Sequence, residues 1–224
     1  MNHYLLKKVL PNNNNINDDI DILYPYHFDL PKSLRKYRVG IDKGDVFLPP
    51  GIKLRAGKKF DDLMSFINIR PPYLVISPTF FDFLQDFRLP ELHVQDLKVV
   101  KRTKYQMYRF VFSRTVEHDA IVYPQSHFHI EDCSKTPATF TDVSFESAQE
   151  MIQREEGLGG FKVIGSNKVV IDFSRVPYDF FRLPWISRVM GYVVSENLKN
   201  AIEKSNLTGI RFHSLENYNR LVFL

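Results

Sequence analysis

Residues 126–133 read SHFHIEDC and gather the densest set of chemically able side chains in the protein. On an extended strand alternate side chains share a face, so His127, His129 and Glu131 would stand in one row. Two imidazoles and a carboxylate suit zinc, iron or manganese. His118 and Asp119 lie a few residues upstream. No fourth ligand sits at diagnostic spacing. The expectation is therefore that no metal or other cofactor is held, and a metal-dependent hydrolase built on this row stands as the alternative.

Other nucleophile patterns are missing. Cys133 has no histidine–acid set beside it, which a thiolate nucleophile needs. No serine occupies a nucleophile-elbow pattern. Gly157-Leu158-Gly159-Gly160 is glycine-rich, but it follows a helical pattern where a phosphate cradle has to precede one, so it reads as a helix stop. Asp179 and Arg182 lie in the VPYDFFRLPW loop, where an ion pair or backbone contact would fix them. No enzymatic activity and no small-molecule substrate are expected.

Charge is the second resource. The chain carries a net +4. Residues 32–59 hold nine Lys or Arg against Asp42 and Asp45, which is +7 and leaves −3 for the remainder. Arg35, Lys36 and Arg38 are the densest part of this strip, and they are the candidate partner-binding residues. A smaller cluster is Lys98, Lys101, Arg102 and Lys104. Such strips attract acidic proteins or nucleic acid. No nucleic-acid-binding motif accompanies them, so a nucleic-acid-binding module is again only the alternative.

One pattern occurs twice in the chain. Residues 73–97 read YLVISPTFFDFLQDFRLPELHVQDL, and residues 191–215 read GYVVSENLKNAIEKSNLTGIRFHSL. With Ser77 over Ser195 they align without a gap. Val75 falls on Val193, Phe80 on Leu198, Leu84 on Ile202, Leu89 on Leu207, Leu92 on Ile210 and Val94 on Phe212. Each copy opens with a β-branched run that predicts a strand. A serine N-cap follows, then Pro78 or Glu196 at the first helical position. Apolar residues next recur at helical spacing, and Pro90 or Gly209 ends the helix region. The expected fold is α+β, with a mixed or antiparallel sheet and a duplicated strand–helix–strand unit at about 73–97 and 191–215. A duplicated unit of this kind suits a binding scaffold better than a catalytic template.

Around these copies, strands are predicted over Tyr4–Val9, 103–113, Asp119–Tyr123 and His127–Ile130. Phe161–Ile164 and Lys168–Phe173 flank Gly165-Ser166-Asn167 as a hairpin. Helices are predicted over Phe60–Ile67 and 144–156. Residues 11–19, PNNNNINDD, are of low complexity. At 224 residues one domain with two lobes is expected: an irregular lobe over 1–72 and a core over 73–224. The 19 Phe and 11 Tyr argue for an aromatic core and some sticky surface rings. One cysteine fits a reducing compartment. There is no signal-peptide pattern and no membrane-length apolar run, so a cytoplasmic protein with no membrane partner is expected.

These residues also carry a likeness. Phe181-Arg182, then Val194-Ser195-Glu196, then Leu207-Thr208-Gly209-Ile210-Arg211-Phe212 resembles the carboxy-terminal signature of the immunity protein eleven family of bacterial polymorphic toxin systems. Ser77, Phe181, Arg182, Ser195, Glu196, Gly209 and Phe212 are the structural positions of that signature. The Tyr108-Arg109-Phe110 strand and the segment from Asp119 to Ser126 are similar to the family's middle. The likeness covers about residues 73–224, and residues 10–72 match nothing. It implies a non-enzymatic protein that binds and neutralises a cognate toxin protein, and it supplies no catalytic residue.

Overall fold

The computed structural model describes residues 2–8, 20–22, 29–33, 44–49, 52–55, 57–64, 73–189 and 191–224. Strands β1 (His3–Lys8), β2 (Ile20–Ile22), β3 (Ile52–Leu54), β4 (Leu63–Met64) and β5 (Leu74–Ile76) precede helix α1 (Pro78–Leu84). Strands β6 (Leu92–Lys101), β7 (Lys104–Ser113), β8 (His127–Asp132) and β9 (Thr139–Val143) lead to α2 (Ala148–Glu156). Then come β10 (Lys162–Ile171), β11 (Phe180–Phe181), β12 (Val193–Ser195), α3 (Glu196–Lys204), β13 (Ile210–Ser214) and β14 (Leu221–Phe223). The fold is α+β, with the strands in three mixed or antiparallel sheets. The orders are β2-β3-β6-β7-β5-β4, β11-β12-β1-β13 and β14-β10-β8-β9.

The two predicted strand–serine–helix passages are present. Ser77 Oγ accepts from the Phe80 amide at 3.0 Å, and Ser195 Oγ accepts from the Leu198 amide at 3.2 Å. In each passage the strands before and after the helix are not neighbours. An antiparallel strand separates them: β7 between β5 and β6, and β1 between β12 and β13. The registers match position for position. Val75 pairs with Phe110 as Val193 pairs with Leu5. Val94 pairs with Val111 as Phe212 pairs with Leu6. On the far side, Leu63 pairs with Ile76 as Phe180 pairs with Val194.

A carboxylate sits at the start of each short outer strand. Ser77 donates its amide to the Asp62 carbonyl and its hydroxyl to the Asp62 carboxylate. Ser195 does the same to Asp179. The remaining carboxylate oxygens are satisfied crosswise. Asp62 accepts the Thr208 amide and hydroxyl, at 2.8 and 3.0 Å, from the segment after α3. Asp179 accepts the Arg88 amide and Nε, at 3.2 and 2.9 Å, from the segment after α1.

Strands β5 and β12 are buried on both faces, which is why they read as short apolar runs. Leu6, Phe180 and Val194 meet Leu63, Ile76 and Val111 in one apolar cluster with Phe80, Leu84, Leu198 and Ile202 of the two helices. Val75 and Phe110 face a second cluster with Ile52, Leu97 and Tyr108. Leu5 and Val193 face a third, shared with Phe128 of β8 and Ile164 of β10.

Several expectations need correction. The division at residue 72 does not follow the sheets, because β1 is a central strand among elements from the other end of the chain. Leu63–Met64, expected in a helix, pairs with β5, and residues 65–67 of that span lie outside the described residues. Gly165-Ser166-Asn167 is not a hairpin turn. β10 runs through it, with a register shift between Ser166 and Lys168. Asp119–Tyr123 is no strand; it contributes one bridge, at Ile121, and leads into a 3-10 turn at Tyr123–Gln125. Pro124 lacks the amide that would extend a ladder there.

Candidate functional site

The third sheet positions the side chains singled out first. β8 lies between β9 and β10, so His129 stands opposite Asp142 and Gly165, and Glu131 stands opposite Phe140 and Val163. These residues share the face turned away from Ile130 and Ile164. That outer face has little covering it: Phe140 is 61% and Val163 42% exposed. Phe161, at the entrance to β10, is 72% exposed.

A shallow depression of about 390 Å³ runs across this face, lined by His129, Glu131, Phe140, Asn167, Arg188 and Arg220. Each wall has a local cause. Asn167 sits at the β10 bulge, which re-aims side chains on a sheet surface. Arg188 caps the 3-10 turn Trp185–Ser187 with φ 58°, a left-handed conformation uncommon outside glycine and asparagine. Arg220 lies just before β14, and its Nη1 donates to the Ser166 carbonyl at 3.2 Å. Among the described residues neither guanidinium has a carboxylate partner within salt-bridge distance.

His129 forms the floor and is 4% exposed. Its ring packs edge-on to Phe140, with centroids 5.2 Å apart. It also lies directly over Gly165, where an added Cβ would come within 2.4 Å of Nε2. Nδ1 is buried without a hydrogen-bond partner. This glycine marks a close ring-on-backbone approach, as strand-interior glycines often do.

The histidine row does not converge. His127 is exposed and lines a different depression with Ser126, Asp142 and Lys168. His118 and Asp119 line a third, with Tyr123 and Arg175. Among the described residues no group of three His, Cys, Asp or Glu side chains is placed to hold a metal ion. Cys133 is exposed, and partial desolvation followed by the Glu131 and Asp132 charges raises its thiol pKa, which disfavours the thiolate.

The residues of the likeness lie in or beside packed elements. Phe181 is fully buried, Gly209 adopts φ 77°, and Lys199 Nζ lies 5.9 Å from the Phe212 ring centroid. The Glu196 amide donates to the Asn2 carbonyl, which ties α3 to β1's start. Arg182 is 9% exposed; its guanidinium makes a long contact to the Ser113 carbonyl, and its own carbonyl accepts the Glu117 amide at 2.8 Å. Burial lowers its pKa, countered by the neighbouring Tyr192 and Tyr73. Arg35, Lys36 and Arg38 lie outside the described residues. Sequence reasoning passed over Phe140, Arg188 and Arg220. An aromatic in a short polar strand, TFTDV, was the available signal for Phe140.

A larger cavity of about 470 Å³ opens beside the β1 start, lined by His3, Arg88, Asp172, Phe173, Ser195 and Glu216 among others. His3 stacks on Phe173 at 3.9 Å there, and Ser195 is engaged in the α3 cap. Among the described residues no helix is long and apolar enough to cross a membrane. No family model, no curated protein and no solved structure matches the chain.

Proposed function

We propose that this chain is a non-enzymatic, cytoplasmic immunity protein that binds and neutralises a cognate bacterial toxin domain. The observation that carries this reading is the uncovered outer face of β8–β9–β10. Exposed Phe140 lines one depression with two guanidiniums that lack carboxylate partners among the described residues, and exposed Phe161 stands at the entrance to β10. Exposed aromatics beside arginine are the composition of interface hot spots, and exposed apolar groups in a patch mark contact surfaces. The likeness of Phe181-Arg182, Val194-Ser195-Glu196 and Leu207–Phe212 to the immunity signature gives the surface its expected partner.

The scaffold suits that role. The two four-stranded arrays, with their shared order, registers and Ser–Asp caps, form a duplicated strand–helix–strand unit in this reading. Their shared core makes a rigid platform that presents the third sheet. The basic strip at 32–59, with Arg35, Lys36 and Arg38, speeds capture of an acidic partner, since rim charges act mainly on association rate.

Co-expression with the toxin encoded beside this chain tests the reading. The expected result is restored growth through a one-to-one complex of roughly nanomolar affinity. Protection that persists at a large molar excess of toxin would contradict it, because a stoichiometric inhibitor cannot outlast a toxin that turns over.

A further inference from the structure

We infer that the depression across β8–β10 is a receptor for a single carboxylate side chain, an Asp or Glu presented by a protein partner. This rests on the protein-binding reading above and names the chemistry at its centre. Arg188 and Arg220 line one depression from two separate segments, and among the described residues neither is paired with a carboxylate. Guanidiniums are planar forks whose geometry matches a carboxylate in two parallel hydrogen bonds. Asn167 adds an amide donor at the β10 bulge.

Arg188 is held where an arginine is conformationally costly. Its φ of 58° would suit glycine or asparagine better. Strain of this kind persists where the surroundings over-determine it, and it clusters at functional sites. The neighbouring His129 floor is built with similar specificity, since only a glycine at 165 admits its ring.

The charge around the lining bears on the choice of anion. Glu131 in the lining and Asp142, opposite His129 on the same face, offset the two guanidinium charges. That balance is less favourable to a doubly charged phosphate or a nucleic-acid backbone than to a single carboxylate. Phe140, exposed at the rim, gives the aliphatic stem of the incoming side chain an apolar seat.

The test is a titration of the full chain followed by NMR of the arginine Nε–H groups. The probes are an end-blocked Leu-Glu-Leu peptide, its Leu-Gln-Leu counterpart, inorganic phosphate and a single-stranded oligonucleotide. The expected result is saturable shifts at Arg188 and Arg220 with the Glu peptide. Binding of the Gln peptide should be weaker on the order of tenfold or more, and neither phosphate nor the oligonucleotide should bind more tightly than the Glu peptide. Arg188→Asn should lose the response while Tm holds or rises, because asparagine tolerates the left-handed conformation. A merely structural Arg188 would lower Tm instead. Equal response to the Glu and Gln peptides overturns the assignment, as does tighter binding of phosphate or oligonucleotide. A toxin complex that forms as tightly with Arg188→Asn as with the native chain also overturns it, while leaving the immunity reading standing. Glu-dependent shifts without any toxin complex support the site and remove the toxin.

Discussion

Ser195 does two tasks with one hydroxyl: it caps α3 and donates to Asp179 at 2.8 Å. It is itself 1% exposed. Ser195→Ala should cost about 1–2 kcal/mol in urea denaturation, at the upper end of N-cap losses, and more than Ser77→Ala. Asp179 is held below the usual carboxylate range chiefly by its hydrogen bond from Arg88, with Ser195 assisting and burial opposing. A depressed carboxyl stabilises above its unfolded value of about 3.8, and that contribution is lost as pH falls through the lower folded value. Asp179→Asn should therefore flatten the acid limb of the stability–pH curve below about pH 4; an unchanged slope would separate Asp179 from acid unfolding. Tyr192 accepts the buried Ser113 amide at 2.7 Å and stacks on Phe180 at 4.4 Å. Burial pushes its pKa up to about 12. Tyr192→Phe keeps the stack and orphans the amide, a loss of about 1–3 kcal/mol. At Gly165, alanine would drive a Cβ into the His129 ring, costing about 1–3 kcal/mol by overpacking. His129→Ser should return most of that loss; an additive double mutant would show that the ring is not the obstacle.

At the scale of elements, β1 is the strand on which the β11-β12-β1-β13 sheet depends. It alone joins β12 to β13, and its two leucines face different cores, Leu5 one way and Leu6 the other. Leu6→Ala should cost about 2–5 kcal/mol. Val111, at the matching register of β7 and in the same cluster, should respond in the same direction with a smaller loss for its smaller side chain. Removing residues 1–8 leaves β12 and β13 without the strand that bridges them, so that truncation should not fold cooperatively. Circular dichroism melts of the truncated chain check this, and a sharp transition near that of the full chain would show β1 to be dispensable.

For the whole molecule, the crosswise hydrogen bonds matter most. Asp62 is satisfied from the segment after α3, and Asp179 from the segment after α1. With a core drawn from both arrays, neither array is expected to open alone. Native-state hydrogen exchange should give the amides of β5, β7, β12 and β1 one common opening free energy, that of global unfolding. Two distinct plateaus would mean two independently stable lobes. A single cooperative unit would suit the proposed binding role, because a platform that does not rearrange loses less ordering entropy on contact.

Signals spanning a few residues were legible from the chain itself. β-branched runs, the Ser77 and Ser195 caps, the alternation of 104–113 and the Gly157 helix stop each depend on neighbours within one turn or one strand. They located α1, α3, β5, β7, β8 and β12, and they set the class as α+β. Of the positions the alignment matched, Phe80, Leu84, Leu198 and Ile202 lie in the central core, while Val75 and Val193 face two other clusters. Tertiary structure decided the rest. Nothing local in His3–Lys8 says that it pairs with residues 193–195 and 210–214, because loop closure over such a separation leaves no trace in composition. Period-two spacing put His127, His129 and Glu131 on one face. It could not tell that β10 would carry Gly165 under one ring, burying His129 and leaving His127 exposed. Arg188 and Arg220 are far from that row in sequence, and only the path of the chain through the Trp185–Ser187 turn and into β14 brings them to it.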